Sequence, residues 1–163
     1  MNYYKLFGAG MILVCCTLCG FYCSYKLSLK LRLLDSLVEF LSRLETNIRY
    51  FGDDVYRLIS LSAPSMLSKY FTEKKTPFIS YWNSSVQRIS KAFGLSTEVI
   101  SNLTEFGRML GATDVEGQMR HIGIYKSVFT TARDNFRKDC KTKARLYKTL
   151  GFFAGAVSAL LIL

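Results

Sequence analysis

The chain has 163 residues, half of them hydrophobic, with 22 Lys and Arg against 12 Asp and Glu. A chain of that size can bury one core but not two. Its net charge of +10 lacks the interleaved exposed aromatics of a nucleic-acid surface, so no nucleic-acid partner is expected; the excess reads as basic residues facing anionic headgroups of a lipid bilayer.

The first element is an uncharged run of twenty residues, 6–25, flanked by Lys5 and Lys26. At about 1.5 Å per residue it reaches about 30 Å, the depth of a bilayer's hydrocarbon core. Residues 1–26 therefore read as an N-terminal transmembrane helix. A cleaved signal peptide fits less well, because one Lys makes a weak n-region and no A-x-A-like site follows. A lipoprotein signal also fits poorly, since no small residue precedes any of the cysteines. Cys16 and Cys19 form a C-x-x-C, yet an apolar span lacks the electropositive setting that makes a thiolate. With no second ligand pair, neither a metal site nor a cofactor is expected, and Cys15, Cys16, Cys19 and Cys23 read as small hydrophobes. Cys140 stands alone on the cytosolic side.

From 27 to 51 apolar residues recur at Leu34, Leu37, Val38, Leu41, Leu44, Ile48 and Phe51, one stripe of a helix. No Gly or Pro lies between Gly20 and Gly52, so the membrane helix is expected to continue into it. Gly52 stops it, and Asp53 is the expected N-cap of a short helix to Leu61. Pro64 punctuates before another short helix, 65–74. Thr76 and Pro77 read as N-cap and first turn of a helix to Phe93, closed by Gly94. Its core face is Phe78, Trp82, Val86, Ile89 and Phe93. Ser96 caps the next helix, whose core face is Val99, Ile100, Leu103, Phe106 and Leu110, ending at Gly111.

Thr113 to Glu116 matches a capping box, in which hydroxyl and carboxylate satisfy free amides reciprocally. From there one helix of about fifty residues is expected to run to the end. The last fifteen, 149–163, are uncharged. They span a membrane only if the helix reaches back through Leu146 and Tyr147 while Lys148 snorkels. The fold class expected is all-α: an antiparallel helical bundle at 27–145, flanked by transmembrane helices at 1–26 and 146–163. Eleven basic residues near the membrane ends lie on the central side and only Lys5 lies outside, which places the central domain in the cytosol.

No catalytic residue is expected, and the protein reads as a non-enzyme. His121 is the only histidine, and one continuous helix holds it about 28 Å from Cys140, too far for a dyad. The pairs Asp53–Asp54 and Asp114–Glu116 sit at helix starts, where they serve as caps. Segment 106–122 stands out: Gly107 lies mid-helix at a cost of about 1 kcal/mol, which a closely crossing neighbour explains. With Gly111, Thr113 and Glu116 it reads as a structural corner. Asp114 and Gln118 there, with Glu45 and Arg49 on the polar face of the first helix, are the candidate partner-binding residues.

The segment FGRMLGATDVEGQMRHI at 106–122 resembles the pattern of the stage III sporulation protein AB family of endospore-forming bacteria. LVEFLSRLETNIRY at 37–50 and YKTLGFFAG at 147–155 are similar to two further stretches of that family, in the same order. Asn47 stands where the family usually has a second Glu, and Asp54-Val55 where Pro-Leu is common. The resemblance implies a fold similar to the cytoplasmic domain of the inner-membrane platform protein of type II secretion and type IV pilus systems. It also implies a place in the channel complex between mother cell and forespore, in the bacterial cell membrane on the mother-cell side. A secretion-type cytosolic ATPase and other membrane subunits are then the partners. Two alternatives stay open: a general inner-membrane scaffold of a pilus or secretion system, and a membrane-bound enzyme whose site forms on oligomerisation.

Overall fold

A computed structural model describes residues 3–51, 54–71 and 77–162. Every element among them is helical: α1 (Tyr3–Phe51), α2 (Val55–Ser62), α3 (Ser65–Ser68), α4 (Phe78–Phe93), α5 (Thr97–Met109) and α6 (Val115–Ile162). The chain divides into two compact units, 32–134 and a second made of 1–31 with 135–163.

In the 32–134 unit the core gathers around Trp82, only 1% exposed. Its ring lies 5.5 Å from Phe71, 5.7 Å from Phe106 and 6.3 Å from both Phe40 and Phe78. The indole N–H donates to the Leu103 carbonyl at 2.7 Å, which satisfies the one polar atom in that apolar setting. The mid-helix glycine expected to admit a crossing helix does so: a Cβ on Gly107 would overlap the Trp82 indole. On α1 the buried stripe includes Leu33 and Phe40 besides Leu34, Leu37, Leu41, Leu44 and Ile48, whereas Val38 is only half-buried. The stripe is displaced away from Val38 and toward Phe40, where Phe71 and Trp82 stack on it.

Several boundaries and caps differ from the expectation. Helix α3 stops at Ser68 rather than reaching 74, turning through Tyr70, whose N–H donates to Leu67. Pro77 is the N-cap of α4, a shift of one position within ordinary boundary scatter; the expected cap Thr76 lies outside the described residues. Asp54 caps α2 through its carbonyl, and the expected Gly52 and Asp53 also lie outside the described residues. Gly94 closes α4 at φ 62°, a left-handed conformation that glycine adopts without a Cβ clash.

In the second unit α1 and α6 lie against each other through small residues. A Cβ on Gly20 would stand 2.6 Å from the Tyr147 carbonyl oxygen, and one on Gly151 would stand 2.9 Å from that of Cys16. One on Gly155 would reach the Leu13 Cα at 3.1 Å. Residue numbers fall on α1 as they rise on α6, so the two segments run antiparallel. Ala9, Ser24, Cys140 and Ala159 are buried and continue the same seam by helical spacing. Phe7, Met11, Val14 and Leu18 on α1, like Leu150, Phe153, Val157 and Leu160 on α6, are exposed. Among the described residues α1 is the one helix long and apolar enough to cross a membrane.

Candidate functional site

The corner between α5 and α6 is built from backbone upward. Helix α5 ends at Met109, Leu110 caps it, and Gly111 takes φ 83°, a region closed to most side chains. The Ala112 N–H returns to the Met109 carbonyl at 3.2 Å. Helix α6 then starts at Val115. The Thr113–Glu116 capping box does not form in the expected register. Asp114 is the cap, its Oδ1 accepting the Gly117 N–H at 3.1 Å, which puts Glu116 at the second helical position. The carboxylate accepts better than a threonine hydroxyl and faces the positive end of the helix dipole.

The side-chain amide of Gln118 donates to the Thr113 carbonyl at 2.9 Å. Two of the four candidate partner residues, Asp114 and Gln118, thus hold the corner's own backbone. Around them Met109, Val115 and Glu116 are exposed, an apolar and acidic surface on a fixed turn. Behind the corner His121 stacks on Phe106 with ring planes 3° apart and meets Tyr125 edge-on at 4.8 Å. Burial, with a smaller contribution from the Glu105 carboxylate, raises the Tyr125 phenol above its ordinary pKa. His121 is therefore a packing residue here.

Glu45 and Arg49 have different fates. Glu45 accepts from Lys126 of α6 at 2.9 Å, both side chains about one-third exposed. Arg133 of α6 lies 3.8 Å from Asp35 of α1. These pairs set α1 and α6 antiparallel in the 32–134 unit as well, so Arg49, which is exposed, lies one turn nearer the corner than Glu45 does. The two candidate surfaces consequently face the same end of the α1–α6 pair.

Periodicity did not reveal a shallow cavity of about 410 Å³ lined by Glu39, Ser42, Arg43, Thr46, Asn47 and Leu61. Asn47, one of these residues, donates to the fully buried Ser62 hydroxyl at 2.9 Å, tying α2 to α1. A polar residue on the flank of an apolar stripe was the only available signal. Among the described residues no three His, Cys, Asp or Glu gather as metal ligands. All five cysteines are free thiols.

Comparison with known proteins gives one family. The family model described as stage III sporulation protein AB matches residues 5–163. Neither a curated protein nor a solved structure matches the chain. With nearly its whole length covered, the chain belongs to the stage III sporulation protein AB family.

Proposed function

We propose that this protein is a non-enzymatic platform or adaptor subunit of a sporulation-specific, secretion-like channel complex between mother cell and forespore. Family membership supports the process. The anchoring rests on one observation, the close antiparallel seam of Gly20, Gly151 and Gly155 with bulky apolar side chains turned outward. In lipid, helices associate by close van der Waals packing and not by hydrophobic exclusion, so small residues belong inside and large ones outside. On this reading both α1 and the end of α6 cross the bilayer. Lys148, seated 5.2 Å over the Phe21 ring, marks the cytosolic interface.

Residues 27–145 then form a cytosolic antiparallel bundle, similar to the platform domain of type II secretion and type IV pilus systems. Its contacts with a secretion-type ATPase and with other membrane subunits fall on Arg49, Asp114, Glu116 and the exposed Met109 and Val115. The test is capture of the candidate ATPase by the detergent-purified full chain. Arg49→Glu and Met109→Ser should weaken capture at unchanged thermal stability; full capture by both variants removes the proposed surface. Reporter fusions at position 163 and within 74–76 should give opposite locations, and an external central domain overturns the topology.

A further inference from the structure

We propose that the flank of α6 just before the C-terminal apolar run binds one anionic phospholipid, its phosphate held between Lys141 and Arg145. The inference rests on the membrane placement proposed above. Lys141, Thr142, Arg145, Leu146, Thr149 and Leu150 line a cavity of about 490 Å³. Steps of three and four put them on one side of the helix, and the same spacing turns Gly151 and Gly155 away from them, so this side opens to lipid. Along the helix axis the two cations come first, with Thr142 between them, and Leu146 and Leu150 follow, 52% and 55% exposed, with Thr149 between them. A phospholipid has the same order: phosphate, glycerol, acyl chain.

The cavity lining picks out these two cations, Lys138 standing one turn outside it, and the electrostatics leave both available. Lys143 is held 3.2 Å from Asp139, and Lys148 sits over an aromatic ring. Arg137 is engaged as well. Lys141 and Arg145 have no acidic partner among the described residues, and Asp139 is the only acid between 135 and 163. Two like charges four apart on a helix repel each other. A phosphate between them turns that repulsion into two charge-assisted contacts, with the Arg fork suited to two oxygens at once. Thr149 spends its proton on the Arg145 carbonyl at 3.0 Å, which leaves Thr142 as the hydroxyl donor to a further oxygen.

The experiment is native mass spectrometry of the detergent-purified full chain with phosphatidylglycerol or phosphatidylcholine added. Wild type should retain one phosphatidylglycerol in preference to phosphatidylcholine. Each basic side chain near a membrane surface contributes about fivefold, so Lys141→Gln with Arg145→Gln should cut retention roughly thirtyfold. The charge-matched pair Arg120→Gln with Lys143→Gln should cut it far less, since Lys143 is already paired with Asp139, and Arg145→Lys should keep most of it. Equal losses in the two pairs mean diffuse attraction and overturn the site, as does undiminished retention in the first pair. An alkaline wash of membranes separates the underlying assumption: a chain released by it was never inserted, and both proposals fall, whereas a chain that stays inserted but loses no lipid sinks the site alone.

Discussion

Gly107→Ala probes the packing of the 32–134 unit most directly. Alanine is the better helix former by about 1 kcal/mol, so on an open helix face this change stabilises. Here the new methyl overlaps the Trp82 indole, which is buried against Phe40, Phe71, Phe78 and Phe106. Overfilling a packed core costs about 1–3 kcal/mol. Displacing the indole also breaks its bond to the Leu103 carbonyl and strands a buried donor, a further cost of about 1–3 kcal/mol. The net destabilisation is therefore about 1–5 kcal/mol, which for a unit of this size lowers Tm by roughly 5–25 °C. Trp82 is the only tryptophan, so its fluorescence reports the transition without a label. Thermal melts of purified protein, read together by tryptophan emission and circular dichroism, make the measurement. Pairing Gly107→Ala with Trp82→Phe, read by circular dichroism alone, should recover part of the loss, because the smaller ring vacates the overlap and the two effects cannot add. A Tm equal to or above wild type in Gly107→Ala would falsify the close crossing of α4 and α5.

Three other outcomes are expected. Because a Cβ at position 155 lies 3.2 Å from the Cys16 Cβ, near the separation of a disulfide, Gly155→Cys should join Cys16 under mild oxidation of the full chain. Adding Gly151→Ile should abolish that bond, and equal pairing with Cys15 or Cys19, seen by peptide mapping, argues against the seam. Glu45→Lys should cost about 1 kcal/mol, the upper end for a partly exposed pair, and Lys126→Glu added to it should restore stability in urea melts; simple addition of the two losses would show that they do not interact. Burial raises the Cys140 thiol above its ordinary 9.0, so at pH 8 maleimide should label it far more slowly in native protein than in urea. The sign for stability is the same: the contribution is full below 9.0 and is lost as pH rises above that value, since the unfolded thiol ionises first. Equal labelling rates in the two states would place Cys140 at the surface.

Residues whose role is set by helical spacing were readable directly. Leu37, Leu41, Leu44, Trp82 and Leu103 follow the 3.6-residue period and are buried. Gly94 and Gly107 were legible for another reason: each carries a conformational or propensity penalty that only a cap or a close neighbour explains. Spacing is silent about which helix meets which. Phe40 lies at the edge of the stripe and is buried because Phe71 and Trp82 stack on it from elsewhere in the chain. Gly151 and Gly155 carry no local signal of their role, because the Gly20 and Leu13 that stand opposite them are far away in the chain. At the corner the cap falls on Asp114, one residue past the expected Thr113, because both are good caps and only tertiary geometry chooses between them. Glu45 was expected to be available to a partner; an ion pair to a residue 81 positions away leaves no trace in local sequence.

The glycine seam also dictates an order of events during synthesis. Its two halves are about 130 residues apart in the chain, and closing an unstructured loop of that length costs about 4 kcal/mol. On the proposed membrane placement the first half can enter the bilayer as it emerges, whereas the second is made only about 130 residues later. Once the intervening helices have folded, most of that closure entropy has already been surrendered. The C-terminal segment then completes the seam as a late docking step. On that placement, damage to the core around Trp82 should accordingly show itself first as a failure of Gly151 and Gly155 to meet their partners on α1.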